Sequence, residues 1–480
     1  PRSTLSSSSA ASDVYKRQGD YLLFYAEGTH RWVFDGPEET YRFVRHFYSD
    51  TAWYFMTSEP GGVLRAVTEP PPVQTVNRSS QATDVTFRHE IEAVNLIRSG
   101  REWYQQVVPG AQNDVGPEFT DLLPGERVRY KIRVLGRSDS GSSFSLRQGS
   151  QELNVIAVDA INMTDLNGIF ASVTTVTDSC LPDSPAPSFS LTWSSGGNPA
   201  ATGYIDYVDF HARAGLQYRA TQLFISDTRT VAPGAITRFT VGGSSSLKVW
   251  DITDPFAPKI MQTSQASGST LFTAATDTLR KFVAFETGSL KQPATEAVAV
   301  PNQDLHSLAP ADMIIVTHPL FESYATKLAE LHMADDGTKS IVVTPGQIYN
   351  EFSGGIPDAS AIRNFVRMMR DRGAGTPSPL KYLLLFGDGS YDNKTAPPGN
   401  TAFIPTWQSV NSHTGVLSFT SDDFFGLLDD GEGEAEGLLD IGIGRLPAAD
   451  TASAGVMVRK IASYMSSASM GSVSYTHLRA

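Results

Sequence analysis

The chain has 480 residues, and dividing that length by a typical domain length predicts about three domains. Hydrophobic residues make up 40% of it and charged residues 19%, a globular composition that excludes a wholly disordered chain, and the net charge of -13 without a lysine- and arginine-rich stretch argues against a nucleic-acid partner. Cys180 is the single cysteine, so no intramolecular disulfide can form, and no apolar run reaches the roughly 20 residues that would give a transmembrane segment.

Both ends of the chain differ from what they adjoin. Residues 1–18, PRSTLSSSSAASDVYKRQ, and residues 473–480, VSYTHLRA, resemble translated adapter sequence. We expect both segments to be non-native and poorly packed, with the natural reading frame continuing past each of them. On this interpretation, the absence of a visible signal peptide carries no information about the compartment. The alternative is a disordered Ser-rich leader with an unrelated tail.

The residues that follow predict β-rich, sandwich-like domains. Short aromatic and β-branched runs such as DYLLFYAEG and HRWVFDG, broken by Gly, Pro and Asp, are typical of strands of four to seven residues. The same alternation continues through VRYKIRVLGRS, SFSLTWSS and LKVWDITDP. Regular turn signals between these runs favour sandwiches. The predicted division is 19–125, 126–215 and 216–290, followed by a linker over 291–308.

Residues 309–472 predict an α/β unit with a parallel sheet. MIIVTH, SIVVTP and YLLLFGDGS are continuous apolar runs that predict buried strands, and PLFESYATKLAELHMADDG predicts a helix between the first two. Asp358 is placed to cap a second helix over Ala359 to Arg372. FFGLLDD and LLDIGIGRLP predict two further strands, and Asp450 to Met465 a last helix. Strands and helices in this order predict a parallel sheet with right-handed crossovers.

Few residues suggest catalysis. His318 and the Gly387-Asp388-Gly389 turn follow predicted strands, where open α/β sheets bind ligands. A capping role for His318 and a tight turn at the glycines are the structural alternatives, and we favour capping for His318. Cys180 lies in a turn-like string without a nearby base, so we expect it to be inert. Neither a Gly-x-Ser-x-Gly elbow nor a phosphate-binding loop is present, which disfavours an α/β hydrolase or a nucleotide-binding protein.

An acidic segment between Asp422 and Asp440 raises a second hypothesis. Carboxylates at this density suit a hard cation such as calcium, although the spacing is not that of an EF-hand. We predict a calcium site, if the chain has one, at Asp388, Asp392, Asp422 and Asp423; a solvated acidic loop is the favoured alternative. The acidic residues of the segment are Asp422, Asp423, Asp429, Asp430, Glu432, Glu434, Glu436 and Asp440.

The order and spacing of several strings resemble one family. LLLFGDGSYDN, IPTWQS, SFTSDDFFGLLDD and DIGIGRLPA, followed by a helix with VRKIASY, are similar to the opening half of a gingipain-type cysteine peptidase domain. Upstream, DYLLFYAEG, NLIRSGREWYQQ, GYIDYVDF and VWDIT resemble the β-rich region of type IX secretion sortases. The resemblance extends over nearly all of residues 19–472. It implies a caspase- or gingipain-like first subdomain after the β-rich domains.

The resemblance also implies an activity. Proteins of this family sit at the outer membrane and cell surface, where they work with outer-membrane secretion components and cleave a C-terminal targeting domain from secreted cargo. They use a Cys thiolate activated by a His in a Gly-His-Gly setting. No Gly-His-Gly occurs here, so no catalytic residue is assigned, the catalytic subdomain is expected beyond this chain, and the chain is expected to be inactive. No cofactor is required; calcium is the ion that the family would favour.

A different class of protein remains open. The alternative is a surface β-sandwich adhesin or carbohydrate-binding protein that carries an inactive α/β module. Such a protein would have the same β-rich composition and would also lack assignable catalytic residues. A continued reading frame with a downstream Gly-His-Gly and a Cys some tens of residues later would favour the peptidase.

Overall fold

A computed structural model describes residues 23–57, 66–165, 168–294, 297–395, 400–433 and 436–466. The adapter-like segments 1–18 and 473–480 lie outside the described residues, so their predicted poor packing stays a prediction. Within the described part of the chain, no helix is both long enough and apolar enough to cross a membrane.

The β-rich region consists of strands of 3 to 14 residues, so several are longer than the predicted four to seven. In chain order they are β1 (Arg31–Asp35), β2 (Thr40–Val44), β3 (Val67–Glu69), β4 (Arg78–Ser80), β5 (Ala82–His89), β6 (Gln105–Val107), β7 (Gln112–Asp114), β8 (Val128–Arg137), β9 (Ser142–Gln148), β10 (Gln151–Val158), β11 (Ser172–Cys180), β12 (Phe189–Ser194), β13 (Thr202–Gly215), β14 (Leu223–Ile225), β15 (Ile236–Val241), β16 (Lys248–Asp251), β17 (Lys259–Met261), β18 (Thr263–Ala266), β19 (Ser269–Ala275) and β20 (Phe282–Phe285). The predicted β-rich architecture is confirmed.

The first sandwich packs two antiparallel sheets face to face. One has the order β10-β9-β12-β7 and the other β11-β8-β13-β5, with β6 also paired to β13. Buried and less buried residues alternate along β8 and β9, as expected for strands with one face in a core. Phe144 and Trp193 from the first sheet meet Ile132 and Phe210 from the second, and all four are almost completely buried.

A bulge interrupts the pairing of β13 with β8. Ile205 lies opposite Val134 and Tyr207 opposite Arg133, so Asp206 is an extra residue. Its carboxylate contacts the Arg133 guanidinium on the face of the sheet that points away from the sandwich core. The bulge therefore gives this outer face a buried carboxylate.

The second sandwich combines strands from distant parts of the chain. Its sheets have the orders β14-β20-β16-β17-β3 and β18-β19-β15-β4, and β3 and β4 pair in parallel with β17 and β15. Three rings, those of Phe239, Phe272 and Phe282, pack in its centre with centroids 4.9–5.4 Å apart. The predicted boundary between residues 125 and 126 runs through the first sandwich, and strands from before residue 125 enter both; the domain boundaries stay predictions.

The hairpin of β1 and β2 covers the outer face of the sheet that contains β5, β8 and β13. Tyr41 packs edge-on against His211, with ring centroids 5.0 Å apart, and its hydroxyl donates to Asp84 at 3.2 Å. Phe43 lies 4.4 Å from the guanidinium carbon of Arg88. A charged sheet face thereby becomes an interior surface.

The α/β region contains a four-stranded parallel sheet with the order β22-β21-β23-β26. Its strands pair in parallel as predicted, and every residue of β21 is buried. The strands and helices of this region are β21 (Met313–Thr317), α1 (Glu322–Asp335), β22 (Ser340–Val343), α2 (Pro345–Phe352), α3 (Ala359–Gly373), β23 (Tyr382–Phe386), β24 (Trp407–Gln408), β25 (Thr420–Ser421), β26 (Gly442–Leu446) and α4 (Thr451–Ser466). The predicted α/β fold class is confirmed.

Several details of the α/β region differ from the sequence prediction, among them the two short strands β24 and β25. Helix α2 was not predicted, although Thr344 and Gln347 form a capping box at its start and Pro345 occupies its first turn. The strand predicted over FFGLLDD is wrong, because Asp423–Phe425 form a 3-10 turn and irregular backbone follows. Phe425 and Leu428 are nevertheless completely buried in the α/β core. The apolar run therefore indicated burial correctly, although it does not form a strand.

Candidate functional site at the carboxyl edge of the parallel sheet

The turn after β23 lies where ligands usually bind in an open α/β sheet. Gly387 has φ 155°, and a Cβ there would lie 2.9 Å from Ile404 Cγ1. A Cβ on Gly389 would lie 2.5 Å from Thr406 Cγ2. The glycines are therefore required because residues 403–406 pass directly over the turn, which supports the tight-turn interpretation.

The acidic side chains of this turn are occupied by local hydrogen bonds. Asp388 accepts from Thr401 Oγ1 at 2.7 Å and from the backbone N–H of Gly389 at 3.0 Å. Asp392 Oδ1 accepts from the backbone N–H groups of Lys394 and Thr395, both at 3.1 Å. Both carboxylates therefore stabilise the conformation of the turn through these hydrogen bonds.

Asp422 and Asp423 have different surroundings. Arg445 on β26 pairs with Asp422 through Nε and Nη2, at 2.7 and 2.6 Å, so both carboxylate oxygens are engaged. Asp423 is exposed at the start of the 3-10 turn. Arg445 also donates to the carbonyl oxygen of Gly387 at 3.1 Å, and it is the guanidinium that stands between Asp422 and the turn.

Arginines of α3 pair with three further carboxylates of the acidic segment. Arg370 Nη1 lies 2.8 Å from Asp429 and 2.7 Å from Asp440, and Arg367 lies 2.7 Å from Asp430. Ion pairs of this length remove the repulsion between carboxylates that a bound cation would otherwise relieve. The segment is therefore an arginine-paired loop in this structure, an arrangement that neither sequence hypothesis included. Glu434 lies outside the described residues.

Clusters with the geometry of a metal site lie elsewhere. Among the described residues, two groups bring three or more ligand atoms within 4.8 Å of one another, and neither includes Asp388, Asp392, Asp422 or Asp423. The groups are Asp304, His306 and Glu351, and Asp429, Glu432 and Asp440. In the first, Glu351 already accepts from the His306 ring and from backbone N–H groups; in the second, Arg370 occupies the position of a countercharge.

His318 has a capping role, which confirms the favoured interpretation. Its Nδ1 accepts from the backbone N–H of Leu320 at 3.3 Å, at the start of the 3-10 turn that leads into α1. The ring packs against Phe403 with centroids 4.6 Å apart, and burial lowers the His318 pKa below its usual value. The imidazole is thus kept neutral by apolar contacts at this edge of the sheet.

Cys180 is a core residue at the end of β11. It is 8% exposed, and its sulfur lies 3.5 Å from Gln148 Oε1. Burial, opposed in part by Arg127, raises the pKa of the thiol to about 11. The thiol therefore stays protonated at neutral pH, and the expectation that it is not a nucleophile is supported by its surroundings.

The structure also brings together residues that the sequence analysis did not single out. The loop after β24 places His413 Nδ1 3.3 Å from Glu102 Oε2, and Lys394 reaches both Asp50 and Glu92. These pairs join positions about 300 residues apart in the sequence. No local pattern could have indicated them, because each residue alone looks like an ordinary surface charge.

Comparison with known families gives one match. Residues 306–478 match the model of peptidase family C25, the gingipain family. The matched range runs into the segment 473–480 for which we predict a non-native origin. No curated protein matches the sequence.

Among solved structures, the chain is similar to dimeric latent PorU from Porphyromonas gingivalis, with a TM-score of 0.77 and 25% sequence identity. The match covers 92% of this chain and 44% of that one, so the chain spans less than half the length of the PorU it resembles. A carbohydrate-binding module of a xylanase from the hindgut metagenome of Trinervitermes trinervoides matches 26% of this chain and 95% of its own, at 8% identity and a TM-score of 0.17, which carries no argument. Residues 306–478 therefore match the gingipain family, and the chain as a whole is similar in fold to PorU.

Proposed function

We propose that this PorU-like chain is part of a type IX secretion sortase, a cysteine endopeptidase that removes the C-terminal targeting domain from secreted cargo. The observation that carries the proposal is the similarity to PorU over 92% of the chain at a TM-score of 0.77, which includes the β-rich region as well as the peptidase region. The family match over residues 306–478 supports a cysteine peptidase as the parent family of the α/β region.

The proposed chemistry needs a thiolate and a base. A Cys thiolate attacks the carbonyl carbon of the scissile peptide bond, a His transfers a proton to the departing amine, and backbone donors stabilise the oxyanion. We assign none of these roles to the 480 residues, because they contain no Gly-His-Gly and because the thiol of Cys180 is buried and protonated. The described α/β region would then supply the scaffold beside the catalytic subdomain.

The partners follow from the same proposal. We infer that the protein meets secreted cargo with a C-terminal targeting domain, together with outer-membrane secretion components, at the cell surface. The acidic net charge of -13 fits a role that does not involve nucleic acid.

A peptidase assay of the 480-residue chain tests the catalytic part. We expect no turnover of a panel of fluorogenic peptides, and no difference between the chain and its Cys180→Ala variant. Turnover that Cys180→Ala abolishes would contradict the assignment, because it would make Cys180 the nucleophile.

The source gene separates the sortase from a surface adhesin with an inactive α/β module. The sortase predicts that the reading frame continues into a Gly-His-Gly and a later Cys, and that the extended protein cleaves cargo with a C-terminal targeting domain. An extended frame without both residues would favour the adhesin.

Calcium binding is a separate proposal. We propose Asp388, Asp392, Asp422 and Asp423 as its ligands, with Arg445 as the competitor that the ion would have to displace from Asp422. If calcium binds there, it raises the thermal midpoint in proportion to the logarithm of its concentration, whereas magnesium has little effect. A calcium response that persists in an Asp422→Ala, Asp423→Ala double variant would rule out these ligands.

A further inference from the structure

We propose that a strap, defined as residues 387–395 and 400–414, couples the two regions of the protein, so that the β-rich region sets the position of the carboxyl edge of the parallel sheet. The strap begins at the turn after β23 and ends in the loop after β24. Its contacts with the β-rich region are both backbone and side-chain contacts. This inference does not depend on the proposed sortase activity.

Close backbone contacts hold the far end of the strap. The backbone N–H of Arg101 donates to the carbonyl oxygen of Ser409 at 3.0 Å, and that of Glu102 donates to Ser412 Oγ at 2.9 Å. Gly100, which has φ 78°, leaves no room for a side chain, because a Cβ there would collide with the carbonyl oxygen of Asn411. A close fit of this kind transmits displacement from one region to the other.

A partly buried ion pair holds the near end. Lys394 Nζ lies 2.7 Å from Asp50 and 2.9 Å from Glu92, and its side chain is 23% exposed. Tyr391 stacks on Trp103, with ring centroids 5.7 Å apart and an angle of 17° between the planes. Asp50, Glu92 and Trp103 all belong to the β-rich region. The strap is therefore bound to that region at its near end as well as at its far end.

A third anchor uses the loop between β24 and β25. His413 Nδ1 lies 3.3 Å from Glu102, whose other oxygen pairs with Arg133 of the first sandwich at 2.8 Å. The carbonyl oxygen of His413 accepts from the backbone N–H of Phe170 at 2.8 Å. Glu102 thus links the strap to the outer face of the first sandwich.

Hydrogen bonds inside the strap connect the anchored residues to the parallel sheet. Gln408 Nε2 donates to the carbonyl oxygen of Tyr391 at 2.8 Å, and the carbonyl oxygen of Asp388 accepts from the backbone N–H of Ile404 at 3.1 Å. The backbone N–H groups of Gly387 and Asp388 donate to residues at and after the end of β26, each at 3.0 Å. A continuous set of contacts therefore runs from Gly100 to the carboxyl edge of the sheet.

Hydrogen exchange of the 480-residue chain tests the coupling. In a Gly100→Ala variant, the new methyl group pushes Asn411 and Ser412 away, and we expect amide exchange to become about tenfold faster in 400–414 and at Gly387 and Asp388. Exchange in the second sandwich should stay at its original rate, because that core makes no contact in this set.

The matched control is Gly110→Ala. Gly110 also has a positive φ, 74°, but a Cβ there meets nothing within 4 Å. It therefore reports the backbone strain alone, and strap exchange should stay unchanged. Faster exchange in 400–414 with unchanged exchange at Gly387 and Asp388 would overturn the coupling, and so would an equal rise over the whole chain.

A second variant keeps the proposal testable if Gly100→Ala does not fold. Lys394→Met removes the ion pair with Asp50 and Glu92 and should accelerate exchange at Gly387 and Asp388. Lys259→Met is its control, because Lys259 pairs with Glu69 at 3.0 Å within the second sandwich. Equal exchange at Gly387 in the two variants would overturn the proposal.

Discussion

The parallel sheet of the α/β region and the sheet of β11, β8, β13 and β5 are each covered on both faces, but in different ways. The parallel sheet is apolar on both faces, and β21 is buried throughout. The antiparallel sheet has one apolar face in the sandwich core and one charged face beneath the hairpin of β1 and β2. A covered sheet face therefore need not be apolar, provided that its charges are paired.

The largest expected effect is on the apolar face of the antiparallel sheet. Phe210 is completely buried, and its ring centroid lies 4.7 Å from that of Phe189. Phe210→Ala should lower the free energy of unfolding by about 3–5 kcal/mol, because it removes buried carbon surface and leaves a cavity. Urea denaturation measures the loss, and a change below about 1 kcal/mol would show that the core closes around the gap.

A similar loss is expected on the charged face. Arg213 pairs with Asp84 at 2.7 Å and Asp227 at 2.9 Å, and those two carboxylates are only 2% and 4% exposed. Arg213→Met leaves both without their countercharge and should lower the free energy of unfolding by about 3 kcal/mol at neutral pH. If the comparison is right, the loss shrinks when Asp84→Asn is added, since one unpaired charge is then absent. An undiminished loss in the double variant would mean that packing of the arginine stem dominates.

Acid should weaken the charged face next. Burial lowers the pKa of His211, opposed in part by Asp84, and burial also lowers the pKa of His30. A lowered native pKa means that the unfolded chain takes up protons first, so stability is fully present above about pH 6.5 and falls as the pH drops below it. Thermal midpoints at pH 7.5 and 5.5 measure the fall.

A variant of His211 sharpens the pH test. His211→Phe should reduce the difference between the two thermal midpoints, because one proton-binding group is gone. His332→Gln, which removes a histidine of α1 away from the charged face, is the comparison variant. An unchanged difference in His211→Phe would place the acid sensitivity elsewhere.

The smallest expected effect is on an exposed ion pair. Arg219 and Asp121 lie 2.5 Å apart, but the arginine side chain is 56% exposed. Arg219→Met should leave the urea midpoint almost unchanged, since water and salt screen the pair. Comparing this variant with Arg213→Met in the same urea titration isolates the contribution of burial to the ion pair. Equal losses of stability in the two variants would show that burial makes no difference.

Local patterns predicted the parallel sheet, because a run such as MIIVT is apolar enough to be buried on both faces whatever its neighbours are. The alternation in β13 predicted one core face equally well, but it could not show that the hairpin of β1 and β2 covers the other. The run FFGLLDD is apolar without being a strand, since burial of Phe425 and Leu428 requires only that the chain passes through the core.

The candidate site was less predictable than the fold. Asp422 and the other carboxylates of the acidic segment are visible in the sequence, but their partners Arg370 and Arg445 lie on a separate helix and a separate strand. A cluster of like charges in a sequence can be solvated, or it can be neutralised by a positively charged partner. Whether a cation or a guanidinium does so depends on the packing of α3 and β26, which the sequence pattern does not contain.

The bulge in β13 has a consequence for how this sheet tolerates insertions and deletions. Ile205 faces the sandwich core and Tyr207 the hairpin, and they remain correctly phased for a regular ladder if Asp206 is left out. Related sequences could therefore lose this one residue and keep Ile205, Val208 and Phe210 in the core. Such a deletion would remove a carboxylate from beside Arg133, and Glu102, which links the sandwich to His413, would become that arginine's remaining acidic partner. The deletion of one residue from a strand would then change the contacts at the junction between the β-rich region and the α/β region.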